Sequence, residues 1–111
     1  MAALTTQQIV QAGLNPTFTA AAGGGDTATP GDKTFLVVKN GGGSPITVTL
    51  AAFPDTSPWG TTIPDLAVTV PNAGERWIGP LVGSSFANPS TGAAGISYSG
   101  VTSVTVAVVT L

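Results

Sequence analysis

Ile46-Thr47-Val48-Thr49-Leu50 alternates strictly between apolar and hydroxylated side chains. A period of two puts Ile46, Val48 and Leu50 on one face and Thr47 and Thr49 on the other, the pattern of a strand with one face in a core. The same period recurs in Leu66-Ala67-Val68-Thr69-Val70, with Leu66, Val68 and Val70 expected inward. It recurs again over 102–111, where Val104, Val106 and Val108 are expected to face the core and Thr105, Ala107 and Val109 to face out. So apolar a strand at the end of the sequence is expected to be central in its sheet or paired at an interface. Residues 34–40 are rich in β-branched and aromatic types, which suit a pleated, half-buried surface.

Asp32 to Leu50 is expected to form a hairpin, two antiparallel strands joined across Gly41-Gly42-Gly43-Ser44-Pro45. The glycines allow positive φ, and Pro45 fixes φ and removes a donor just before the second strand. Elsewhere, 17–22 reads as a short strand with Phe18 inward, 23–32 and 83–95 as loops, and 75–81 as a strand with Trp77 and Ile78 on opposite faces. If both are buried, that strand lies between the core and a second covered surface. Residues 96–99 read as a strand with Ile96 and Tyr98 on one face, and Gly100 as a tight hairpin into the last strand. Glu75 and Arg76, adjacent on a strand, point apart and do not pair with each other.

Residues 5–12 carry the one helix signal. Thr5 can N-cap it, Gln8 completes a capping box, Leu4 and Ile9 are placed for a hydrophobic staple, and Gly13 stands at C′. This segment is either an arm that docks on a neighbour or a plug over one end of the fold. The whole therefore reads as one all-β domain over 1–111, an antiparallel β-sandwich (jelly-roll or Ig-like) or a small barrel. It would have about six to eight short strands and a short N-terminal helix, 5–12, within an arm, 1–16.

The composition narrows the chemistry. The chain has no cysteine and no histidine, which excludes disulfides, thiolate metal sites and the usual nucleophilic triads. Charged residues make up 7 % of the chain, against about 25 % in an ordinary soluble domain. Three basic residues cannot neutralise a run of phosphates, so no nucleic-acid partner is expected. No apolar run reaches the roughly 18 residues of a membrane helix, and 1–14 lack the basic start and apolar stretch of a secretory signal.

Asp55 and Asp65 could be read as a glycosidase pair, and Asp26 and Asp32 as calcium ligands, but turn and capping roles fit their settings better. The triple glycines lack the lysine and the strand–loop–helix setting of a phosphate cradle. No catalytic, cofactor-binding or metal residue is singled out, and no enzyme is expected. A surface of Thr, Ser, Gly, Ala and Asn with net charge −2 has little repulsion to keep copies apart. Trp59, between Pro58 and Gly60, is either a lid on the core or an exposed anchor for a partner. Leu4 and Ile9 on the arm, Trp59 in its loop and Val109 on the outward face of the last strand are the candidate protein-interface residues. Trp59, Trp77 and Tyr98 could instead form the stacking platform of a carbohydrate-binding module.

Four segments carry a resemblance: A-L-T-T-Q-Q-I-V-Q-A-G-L at the start, G-G-D-T-A-T-P-G-D-K-T-F-L-V-V-K-N-G-G-G, V-T-V-P-N-A-G-E-R-W-I-G-P, and the closing I-S-Y-S-G-V-T-S-V-T-V-A-V-V-T-L. Together they resemble small β-rich virion structural proteins of tailed phages and prophages, particularly of actinobacterial hosts, known as head decoration or cement proteins. The stretch from Phe53 to Pro64 departs from that pattern, being longer and richer in Pro and Trp. The resemblance implies a protein made in the host cytoplasm that binds the major capsid protein on the outside of the head. It further implies a homo-oligomer, a trimer at points of local symmetry. A place in the tail is the alternative within the virion.

Overall fold

Period-two segments bury their apolar face by stacking one sheet on another, and the chain does so. The computed structural model describes residues 2–53 and 56–111. Its strands are β1 (Ala2–Ala3), β2 (Thr6–Gln8), β3 (Thr19–Ala20), β4 (Asp26–Ala28), β5 (Thr34–Asn40), β6 (Ile46–Leu50), β7 (Leu66–Val70), β8 (Gly74–Ile78), β9 (Ala94–Tyr98) and β10 (Val104–Thr110), with a four-residue helix α1 (Gly83–Phe86). One sheet has the order β1-β4-β9-β6-β7; the other has β2-β10-β5-β8, with β3 also on β10. The result is an all-β sandwich and not a closed barrel, a slab of 43 × 35 × 20 Å.

The core lies between the sheets. Leu36, Val38, Val104, Val106, Val108 and Ile78 project from one, and Ile46, Val48, Leu50, Val70 and Ile96 from the other. Each buried Val, Leu or Ile contributes about 1.5–3 kcal/mol. Strand β10 is central, with β5 along one side over 104–110 and β2 and β3 along the other.

The expected hairpin over 34–50 does not form. β5 pairs with β8 and β10, and β6 pairs with β7 and β9, so Gly41–Pro45 carries the chain from one sheet to the other. Asn40 explains how. Its buried side chain donates to the carbonyls of Ser44 (2.8 Å) and Val70 (3.2 Å) and accepts from the Gly42 N–H (3.0 Å), so it holds the arch across the gap. A Cβ on Gly42 would lie 3.1 Å from the Thr102 carbonyl oxygen, which is why a residue without one passes here. The expected hairpin at Gly100 fails in the same way, because β9 and β10 lie in opposite sheets. Ala73 (φ 55°) and Ser103 (φ 57°), the non-glycine residues with positive φ among the described residues, both stand in turns where the chain changes sheet.

The expected helix over 5–12 is also absent. Two turns without packing are marginal, and the open edge of β10 offers a ladder instead. β2 runs parallel to β10 with Thr6 opposite Val108, and the Ile9 N–H bonds the Thr110 carbonyl at 2.8 Å. Before it, β1 runs parallel to β4, so residues 2–8 strap one side of the sandwich, joining first one sheet and then the other. The helix lies instead at Gly83–Phe86, and β4 lies within the expected loop 23–32. Strand β8 stops at Ile78 rather than running to 81. Phe18 points not into the core but under Lys39, whose Nζ is 4.1 Å from its ring centre on the outer face of the second sheet. Leu66, expected inward, is 41 % exposed at the start of edge strand β7.

Candidate interaction surface

The outer face of the second sheet is built from the odd-numbered positions of β5 and β10 and their neighbours. Val37, Ala107 and Val109 lie on it yet are fully buried, outside the central cluster. Val109 sits in a row between Gln7 on β2 and Phe35 on β5. The Gln7 carboxamide takes the place of a backbone unit there: it donates to the Thr17 carbonyl at 2.9 Å and accepts from the Thr17 N–H at 2.8 Å. That clasp ties the segment after the strap to β2. Val109 is therefore a packing residue, and the expectation that it lies open to a partner is corrected.

The same face remains open at its other end. Trp77, opposite Val37 in the ladder, is 55 % exposed. Its Nε1–H donates to Glu75 Oε2 at 2.8 Å, and Glu75 Oε1 lies 4.0 Å from Lys39 Nζ. Glu75 is two residues back on the same face, so this bond lays the indole along the strand. The burial considered for Trp77 fails because β8 is an edge strand, with β5 on one side only. Glu75 and Arg76 do not pair through their side chains; Arg76 Nη1 donates to the Glu75 carbonyl at 2.8 Å.

Trp59 stands at the tip of a small hairpin within the loop between β6 and β7. Thr56 bridges Thr62, the Ser57 N–H bonds the Thr61 carbonyl, and the Gly60 N–H bonds the Ser57 carbonyl at 3.0 Å with Gly60 at φ 85°. Pro58 presets the turn. Trp59 is 81 % exposed, so it is an outward anchor and not a lid. Leu4 is half-buried against the core, with its N–H on the Thr27 carbonyl at 2.8 Å, and Ile9 is 38 % exposed where the strap ends.

The interior also holds a polar pair, Asp26 and Tyr98, that the sequence does not signal. Asp26, 1 % exposed, accepts from the Tyr98 hydroxyl at 2.8 Å and from the Ala22 N–H at 3.2 Å. Burial first, then the bond to Asp26 and its charge, push the Tyr98 hydroxyl far above its usual pKa. Ile96 and Tyr98 do share a face, but it is the inner one, so Tyr98 cannot join Trp59 and Trp77 in a stacking platform. Asp65 accepts from the Ala52 N–H at 2.9 Å, a capping role; Asp55, its supposed partner, lies outside the described residues. Among the described residues no group of three or more acids converges to hold a metal.

Two open grooves border these features. One, of about 410 Å³, runs beside the strap between Leu4, Gln7, Thr17 and Val106. The other, of about 420 Å³, lies between Phe53, Ile63, Leu66 and Phe86. No family model matches this chain, and comparison with curated proteins and with solved structures finds no match either.

Proposed function

We propose that this protein is a structural protein of a tailed-phage virion, a decoration protein that binds the major capsid protein from outside and stabilises the shell. The observation that carries this reading is the exposure of both tryptophans on a rigid sandwich whose surface has few charges. Interface cores are enriched in Trp and depleted in charge, and Trp59 and Trp77 are each held in place by hydrogen bonds of their own element. The resemblance supplies the partner. The mechanism is burial: a contact of standard size, about 1,600 Å², repeated over a lattice of capsomers holds them together without a chemical step. The protein would be made in the host cytoplasm and act on the capsid surface as a homo-oligomer.

The test is binding of the purified protein to capsids that lack it. Saturable binding is expected, and Trp59→Ala should weaken it about tenfold or more while leaving the thermal midpoint unchanged. Failure of the wild-type protein to bind sinks the reading. Labelling on intact particles separates a head site from a tail site. A carbohydrate-binding module is the second reading, favoured by Trp77 alone: its exposed indole lies beside Glu75 and Lys39, which could bond sugar hydroxyls. Glycan binding abolished by Trp77→Ala would support it.

A further inference from the structure

We propose that the free edge of β7 is an interface between two copies of this chain, paired antiparallel about a two-fold axis through Val68. The four sheet edges are not alike. β1 has two residues, β2 three and β3 two, too short to template a partner. β8 carries Glu75 and Arg76 on its edge. The Leu81 N–H bonds the Thr34 carbonyl, and Leu36 stands opposite Ile78, so the main-chain groups of Gly74, Arg76 and Ile78 aim at β5 and those of Glu75 and Trp77 aim outward. The Glu75 carbonyl on that free side is already taken by Arg76 Nη1. Charge and self-capping blunt this edge, as in other natural sheets.

Strand β7 has neither device. Leu66–Val70 contains no charge and no proline, and its five pairs with β6 run without a bulge. The direction of its polar groups follows from β6. The Thr47 carbonyl accepts from the Ser99 N–H, and the Ala51 N–H donates to Gly95, so odd-numbered positions of β6 aim at β9 and even-numbered ones at β7. Val48 opposite Val68 is then a hydrogen-bonded pair. The N–H and C=O groups of Ala67 and Thr69 consequently point away from the sheet and face no other strand among the described residues.

Those four groups are self-complementary. A two-fold axis at Val68 sets Ala67 against Thr69 of the second copy, and Thr69 against Ala67 of the second copy, so each pair exchanges both of its hydrogen bonds. Val68 meets Val68 of the second copy in the close, non-hydrogen-bonded position, and exposed Leu66 lies at the margin of the contact, at the register position of the second copy's Val70, whose own side chain stays buried in its core. Asp65 falls opposite Pro71 of the second copy, so no like charges oppose. The two five-stranded sheets become one continuous sheet. Such a contact is isologous and closed, and it replaces the three-fold association implied by the resemblance. It holds whether or not the chain binds a capsid.

Light scattering tests it directly. The wild-type chain is expected at twice its 10.9 kDa mass, and Ala67→Pro at the single mass, because proline deletes an outward donor that the β6 ladder does not use. A wild-type monomer, a trimer, open-ended growth, or an Ala67→Pro dimer would overturn the proposal. Val68→Cys is the second arm and does not depend on how proline is tolerated. In a chain with no other cysteine, mild oxidation should convert most of the folded variant to a disulfide-linked dimer. If the variant stays monomeric under oxidation, the axis is not at Val68.

Discussion

Of the buried polar side chains, Asn40 joins the two sheets, whereas the Asp26–Tyr98 pair ties β4 to β9 within one of them. Asn40 uses both amide protons and its oxygen, and its partners lie in two stretches: Gly42 and Ser44 in the arch, and Val70 at the end of β7. Asn40→Ala should lower the free energy of unfolding by about 2–3 kcal/mol in urea titration, since it leaves two carbonyls and an N–H without their partner. Asn40→Asp should cost at least as much, because it turns an oxygen toward the Ser44 and Val70 carbonyls. Tyr98 gives a spectroscopic handle as the one tyrosine of the chain. An unfolded tyrosine ionises near pH ~10, and the folded one is raised well beyond that by burial and Asp26. The neutral hydroxyl therefore contributes its full stabilisation below pH ~10, and stability falls as pH rises above that value. Tyrosinate absorbance is expected to appear only together with loss of the far-ultraviolet strand signal, whereas in urea it should appear near pH ~10. Ionisation in the folded protein at that pH would contradict the buried Asp26 bond. At Ala73, a left-handed φ costs an L-residue about 1–2 kcal/mol, so Ala73→Gly should raise stability by roughly 0.5–1 kcal/mol net of the glycine's own entropy.

At the scale of elements, the outer layer over β10 behaves as a second, smaller core. Val109→Ala should cost about 1.5–2.5 kcal/mol in denaturant titration from its two lost methyl groups, with capsid binding unchanged; a binding defect without a stability loss would return Val109 to the surface. Strands β6, β7 and β10 were legible from their alternation, β9 from Ile96 and Tyr98 on one face, and β5 from its β-branched and aromatic residues; β8 was legible in part, with its end set at 81 rather than 78. Their partners were not legible. Alternation says which side chains face a core, but it is silent on which sheet supplies the neighbour, so Lys39–Asn40 followed by glycines reads equally as a hairpin or an arch. The N-terminal segment misled for another reason. Thr5 and Gln8 satisfy the local rules of a helix start, yet the bare edge of β10, distant in sequence, offers Thr6–Gln8 a ladder that a two-turn helix cannot match. β4 was hidden because its three residues sit among glycines and prolines. The exposure of Trp59 was an open alternative in the sequence, decided by the Ser57–Thr61 turn. The exposure of Trp77 needed the knowledge that β8 is an edge.

Across the whole molecule, from β3 onward the chain changes sheet at every connection except the one between β6 and β7. Most contacts therefore join residues far apart in sequence, and sandwiches of this kind fold in milliseconds to seconds. Stopped-flow circular dichroism should find refolding in that range; a microsecond phase carrying the full amplitude would contradict the topology. The strap adds a consequence for the ribosome. β2 leaves the tunnel early, but its ladder partner β10 is translated last of the ten strands, and β5, whose longest pairing is also with β10, waits for the same segment. At roughly 5–20 residues per second, β5 emerges seconds ahead of β10. During that interval β5 can pair with β8 on one side only, and its other edge, along Leu36, Val37 and Val38, waits uncovered for β10. Neighbouring ribosomes on one message would hold several such chains side by side, so slow translation through 41–103 would favour pairing between chains over closure within one.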